Sequence, residues 1–166
     1  MQTIRLALLG DTMLGRGVAE TLRELPASAL LDPAVVALAA AADLTLANLE
    51  CCISERGDPF PGRVFHFRAP PQAVEVLALL GVDCVTLANN HALDFGPQAL
   101  LDTFSFLEEA GIAWVGAGSD LEQARQPVTL QARGMRLAVV ALSDHPPEYA
   151  AERDRPPEAV GDRPGD

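Results

Sequence analysis

The chain contains no lysine: all twelve of its basic residues are arginines, in a sequence of 166 positions. That absence removes Schiff-base chemistry and the lysine that a phosphate loop sets on a nucleotide. Aromatic residues are scarce at 5%, so Leu, Val and Ala must fill the interior through close helix–sheet packing. Cysteine is limited to Cys51, Cys52 and Cys84, an odd count with an adjacent pair that does not resemble a disulfide framework. These thiols read as reduced and largely buried in a cytoplasmic protein. No apolar run approaches the roughly 18 residues that span a bilayer. The opening MQTIRLALLGD has neither the basic region nor the cleavage site of a secretory leader. Acids outnumber bases by 23 to 12, for a net charge of −11. Such a field repels phosphate backbones and argues against nucleic acid as a general partner, while attracting metal cations. An anionic substrate would need bound metal or a local arginine to offset it.

With 49% hydrophobic and 21% charged residues, the chain has the profile of one soluble globular domain. Residues 4–9 read as a buried strand that stops at Gly10-Asp11. Helices are expected over 18–25 and 33–42, the second with Pro33 in its first turn and Asp32 as its cap. A strand follows over 44–49. Residues 54–67 are expected to form an inserted loop with a short strand, since ERGDPFPG is turn-rich and VFHFRA alternates. A helix over 71–80 closes at Gly81, a strand covers 82–87, and a helix over 97–110 ends at Gly111. A strand over 112–115, a short helix over 121–125 and a hairpin turning at Arg133-Gly134 complete the order. The alternation predicts an α/β sheet, parallel at first with an antiparallel edge. Residues 1–144 are read as the domain and 145–166 as a Pro-rich, exposed or disordered tail.

Three polar clusters each follow an apolar strand-like run. Asp11 lies in LALLGDTMLGR, Asn48 and Glu50 in LTLANLE, and Asn89, Asn90 and His91 in CVTLANNHALDFG. Parallel strands bring their carboxyl ends to one edge, where open α/β sheets bind ligands. Carboxylate, amide oxygen and imidazole from three such ends suit a divalent metal. Other readings stand beside this one. Asp11 could cap the following helix, and Glu50 could pair with a buried arginine instead of bridging ions. The asparagines could supply turn geometry while His91 caps a helix. Alternatively His91 is a ligand and acid–base group, with Asp94 three residues on to orient its ring.

Arg16 and Gly17 stand where a phosphate loop needs Lys and Ser or Thr, which weakens the nucleotide reading. Arg16 then either meets an anionic substrate or is a solvated residue at a helix start. His66 reads as a strand residue, with Arg63 and Arg68 forming a small anion patch around it. Ser143-Asp144-His145 contains triad residue types, but adjacency does not create triad geometry. The cysteines have no evident base and read as packed thiols.

The segments GDTMLGR, LTLANLECCIS, PFPGRVFHFRAPP, GVDCVTLANNHALDFG and ALSDHPPE together resemble the CapA family of bacterial poly-γ-glutamate capsule synthesis. Its fold is similar to that of the calcineurin-like metallophosphoesterases. The resemblance implies a layered sheet flanked by helices, with Asp11, Glu50, Asn90 and His91 around a metal centre and Asn48 and Asn89 as supports. It implies divalent Mn, Zn or Fe. It also implies a phosphoester substrate, or a small-molecule or peptide-like anionic one with a γ-glutamyl amide, on which His91 transfers a proton. Family members are longer and draw further histidines from a His-Trp-Gly segment and a later Gly-His-x-x-His. Neither segment occurs here; the one tryptophan is Trp114 and there are three histidines. The expectation is therefore an amino-terminal half, inactive alone as a metal-dependent hydrolase. Its uncovered sheet face would favour self-association or a complementing chain. A non-catalytic module of capsule assembly is the alternative.

Overall fold

Apolar runs separated by helices pair in parallel because each crossover returns the chain to the same sheet edge. In the computed structural model, which describes residues 3–143, β1 (Leu6–Thr12) is followed by α1 (Arg16–Glu24), a 3-10 turn at Ala27–Leu30, and α2 (Pro33–Ala40). Next come β2 (Leu44–Leu49), the short pair β3 (Cys52–Ile53) and β4 (Arg68–Ala69), and α3 (Ala73–Leu79). Then β5 (Cys84–Thr86), α4 (Gly96–Glu109), β6 (Ala113–Val115), α5 (Leu121–Arg125), β7 (Val128–Ala132) and β8 (Met135–Val139) follow. The four-stranded sheet runs β1-β2-β5-β6, parallel throughout. A parallel α/β sheet flanked by helices is the fold that the alternating pattern predicts.

Alternation along the strands decides what each sheet face meets. Ala47, Leu49, Val85 and Leu87 join the buried core with Leu22 of α1, Val76 and Leu77 of α3, and Leu100, Phe104 and Leu107 of α4. Trp114 of β6 stacks on Phe104 with ring centroids 4.9 Å apart. Full burial of a leucine such as Leu49, Leu77 or Leu107 contributes about 2 kcal/mol each. The other face is open at the β1 edge, where Leu8 is 72% exposed. Beside it α2 is apolar all round its circumference, and its Leu38 is 76% exposed. Leu6, Leu8, Val35, Leu38 and Ala39 line a groove of about 390 Å³ there.

Local rules account for much of the detail. The Asp32 side chain accepts from Ala34 N at 2.8 Å, and Pro33 opens α2 where no amide is needed. The β7–β8 hairpin turns on Arg133 and Gly134, with φ of 48° and 73°. That is the double left-handed backbone of a two-residue turn. Three expectations change. β1 does not stop at Gly10 but continues to Thr12. VFHF forms no strand: Val64 and Phe65 stay exposed while His66 bonds the Phe60 carbonyl and Phe67 stacks on His91, and only Arg68–Ala69 pairs with β3. The hairpin is a separate two-stranded sheet, not an edge of the parallel one. The tail over 145–166, and Asp144 and His145 of the triad-like segment, lie outside the described residues. Among the described residues no helix is long and apolar enough to cross a membrane.

Candidate metal centre

The position of Asp11 depends on one extra residue in β1. Leu8 pairs with Leu46 and Asp11 with Asn48, so three steps on β1 oppose two on β2. The extra residue forms a bulge, and Gly10 takes φ 65° there, a backbone that L side chains rarely adopt. Strict alternation would send Asp11 to the face opposite Leu8. The bulge returns it to the face of Leu8, Leu46 and Asn48. No signal of this was drawn from the sequence, although a glycine next to an acid at a strand end is where such a signal would lie.

Asn48 ties the strand ends together. Its Nδ2 donates to Asp11 Oδ1 at 2.9 Å and to Glu50 Oε1 at 3.2 Å. Its Oδ1 accepts from Thr86 Oγ1 at 2.9 Å and from Asn89 Nδ2 at 3.0 Å. Both roles fix the amide orientation. Asn89 also donates to the Leu49 carbonyl, and its Oδ1 accepts from the His91 amide at 2.9 Å. The asparagine therefore supplies the turn geometry weighed for it while joining β2 to the loop after β5. Asn90 Nδ2 lies 3.0 Å from His91 Nε2.

Asp94 holds the far side of the imidazole. It is fully buried, and its Oδ2 meets His91 Nδ1 at 2.7 Å and accepts from the Phe67 amide at 2.7 Å. Arg63 Nη1 donates to its Oδ1 at 3.2 Å and also meets the Asn90 carbonyl. With Nδ1–H directed at a carboxylate, the Nε2 lone pair accepts from Asn90 Nδ2; this tautomer follows from the hydrogen-bond pattern. The Phe67 ring stacks on His91 at 4.2 Å, tilted by 34°.

Several sequence readings can now be placed. Asp11 does not cap α1, whose cap position is Gly15 without a side-chain bond. Among the described residues Asp11 and Glu50 have no arginine partner; their shared neighbour is Asn48. The surface patch of Arg63 and Arg68 does not form. Arg63 is drawn in to Asp94, and Arg68 lies over the Phe95 ring and donates to the Gly57 carbonyl at 3.2 Å. His66 bonds the Phe60 carbonyl at 2.7 Å. Arg63 and Phe67 are contributors to the site that sequence reasoning missed, since loop residues so far along the chain carry no periodic signal. Among the described residues no three His, Cys, Asp or Glu side chains close around one point. The donor set is thus an open rim of carboxylates, amides and one imidazole.

The three cysteines are unpaired and buried. Burial pushes the Cys51 thiol up to about 12 and the Cys84 thiol up to about 11, and it raises Cys52 as well. Thiols held protonated in this way are poor nucleophiles and poor ligands.

The family profile described as "Bacterial capsule synthesis protein PGA_cap" matches residues 5–165. A "Probable polyglutamine synthesis accessory protein" of Mycobacterium tuberculosis is 40% identical over 121 residues, which are 70% of this chain and 32% of that protein. The "PGA biosynthesis protein CapA" of Bacillus subtilis is 26% identical over 153 residues, 90% of this chain and 40% of that protein. The "Capsule biosynthesis protein CapA" of Bacillus anthracis is 30% identical over 79 residues, 48% of this chain and 19% of that protein. The chain therefore spans well under half the length of these relatives. By the extent of the profile match, this chain belongs to the bacterial capsule synthesis family PGA_cap.

Proposed function

We propose that the rim formed by Asp11, Asn48, Glu50, Asn90 and His91 contributes a divalent-cation site to a protein of poly-γ-glutamate capsule synthesis. The observation that carries this reading is the pair of carboxylates, Asp11 and Glu50, sharing one amide donor with no cationic partner among the described residues. Two such groups at a strand-end rim repel one another unless a cation compensates them. The donor chemistry fits: carboxylate and amide oxygens with one imidazole suit Mn²⁺, with Fe²⁺ or Zn²⁺ as alternatives.

Asp11 and Glu50 would hold the cation, with amide oxygen from Asn90 and the Nε2 of His91 completing the contribution of this chain. A bound cation supplies Lewis acidity toward a phosphoester or γ-glutamyl amide oxygen, and lowers the pKa of a water. The residues themselves do the rest. Asp94 and Phe67 hold the imidazole plane, and Arg63 anchors Asp94 from the loop. Thr86 and Asn89 fix the Asn48 amide.

A second reading has its own support. The relatives' printed name "accessory protein" and the lack of a closed ligand cage among the described residues favour an assembly role without turnover. Calorimetric titration of the chain with Mn²⁺ separates the two. The metal reading expects one saturable site that weakens at least about tenfold in Asp11→Ala and in His91→Ala. Heats unchanged by either substitution would leave only the assembly role.

A further inference from the structure

We infer that Arg16, seated on the rings of Phe65 and Phe67, is the group that receives an oxyanion of the substrate beside the rim. This deepens the metal-site reading and rests on it for where the reacting bond lies. The Arg16 guanidinium carbon is 4.9 Å from the centroid of each ring. The Phe67 ring is in turn stacked on His91 at 4.2 Å. One aromatic ring thus separates the cation from the imidazole of the rim.

The arginine is held out for a ligand and not drawn into the fold. Arg56 is committed to Asp102, Arg63 to Asp94 and Arg133 to Asp43. Arg16 is exposed, and among the described residues its guanidinium has no hydrogen-bond or ion-pair partner, only the two rings. In a chain with 23 acids and 12 bases, an arginine that meets no carboxylate presents its planar fork of donors outward. The support is preorganised from two segments. Gly15 is packed so closely on β4 that a Cβ would lie 3.2 Å from the Arg68 backbone. Arg16 itself adopts φ 53°, an uncommon conformation for a residue with a side chain. The stacked face leaves the guanidinium edge available for bidentate contact with a carboxylate or a phosphate.

The shared ligand chemistry is a planar or tetrahedral oxyanion. Its source is either the α-carboxylate of a γ-glutamyl chain or a phosphoryl group. Two titrations of the full chain distinguish them, one with tri-γ-glutamate and one with inorganic phosphate, both without metal. Each is followed by the Arg16 Nε–H resonance. The expected result is a saturable shift with at least one probe, and the tighter probe identifies the source. Arg16→Gln should weaken that binding by about tenfold, as loss of a charge-assisted bidentate contact does. Arg16→Lys, which keeps the charge but loses the fork, should fall between. Failure of both probes to move the Arg16 resonance overturns the proposal, as does equal affinity in the wild type and Arg16→Lys or Arg16→Gln. Mn²⁺ affinity is measured in parallel and is expected to be the same in Arg16→Gln as in the wild type. Absence of a Mn²⁺ site would then sink the metal reading alone, while loss of the anion response sinks this one.

Discussion

Asp94 is fully buried and receives donors from His91, Phe67 and Arg63 on its two oxygens. A buried carboxylate is tolerable only when it is satisfied in this way. Replacing it with asparagine preserves the volume but puts an amide group where three donors converge. Asp94→Asn should therefore destabilise the fold by about 3 kcal/mol, read from urea unfolding. It should also release the His91 ring and weaken Mn²⁺ binding by about tenfold. Unchanged stability would show that the Arg63 and His91 contacts carry no weight. The spacing of His91 and Asp94 was readable, because residues three apart in a tight turn face each other. Arg63 was not readable: it reaches Asp94 from a loop 31 residues earlier in the chain, and no local rule predicts such a contact.

Among the elements, those governed by short-range chemistry were legible and those governed by long-range contacts were not. The cap of α2 by Asp32 and the β7–β8 turn at Arg133-Gly134 follow from the residues at those positions alone. The loop of residues 54–67 misled, because the alternation in VFHF is set by its partners: Phe67 turns to His91, and His66 bonds the Phe60 carbonyl. The loop is also fastened to α4, where Asp102 accepts from Ser54 at 2.6 Å and pairs with Arg56, whose guanidinium holds its carboxyl below the usual range. The β1 bulge has the largest consequence for the site. Deleting Gly10 would remove the extra residue and leave Asp11 two steps from Leu8, so strict alternation alone would keep it on the face of Asn48. The deletion variant should retain both its helical circular dichroism and its Mn²⁺ site. Loss of the site would mean that the local backbone of the bulge at Gly10, and not the choice of face alone, places Asp11.

At the scale of the whole molecule, the buried face of the sheet and its open face differ sharply. Leu6, Leu8, Val35 and Leu38 leave apolar area in water along β1 and α2. Contiguous patches of this kind mark association surfaces. The chain as given should self-associate in a concentration-dependent manner, measurable by sedimentation velocity. Leu8→Gln combined with Leu38→Gln should shift it toward monomer with less than about 0.5 kcal/mol change in stability, as exposed positions allow. A wild type that stays monomeric across the concentration range would contradict this. The acidic charge of −11 raises a separate question, because cations could gather over the surface diffusely without any site.

Paramagnetic broadening by substoichiometric Mn²⁺ addresses that question most directly, because it reports where on the backbone the ion resides. A rim site broadens the amides of residues 11–12, 48–50 and 89–91 first, and Asp11→Asn abolishes that pattern. Broadening spread over acidic residues across the surface, unchanged by Asp11→Asn, would contradict a cation site at the strand ends.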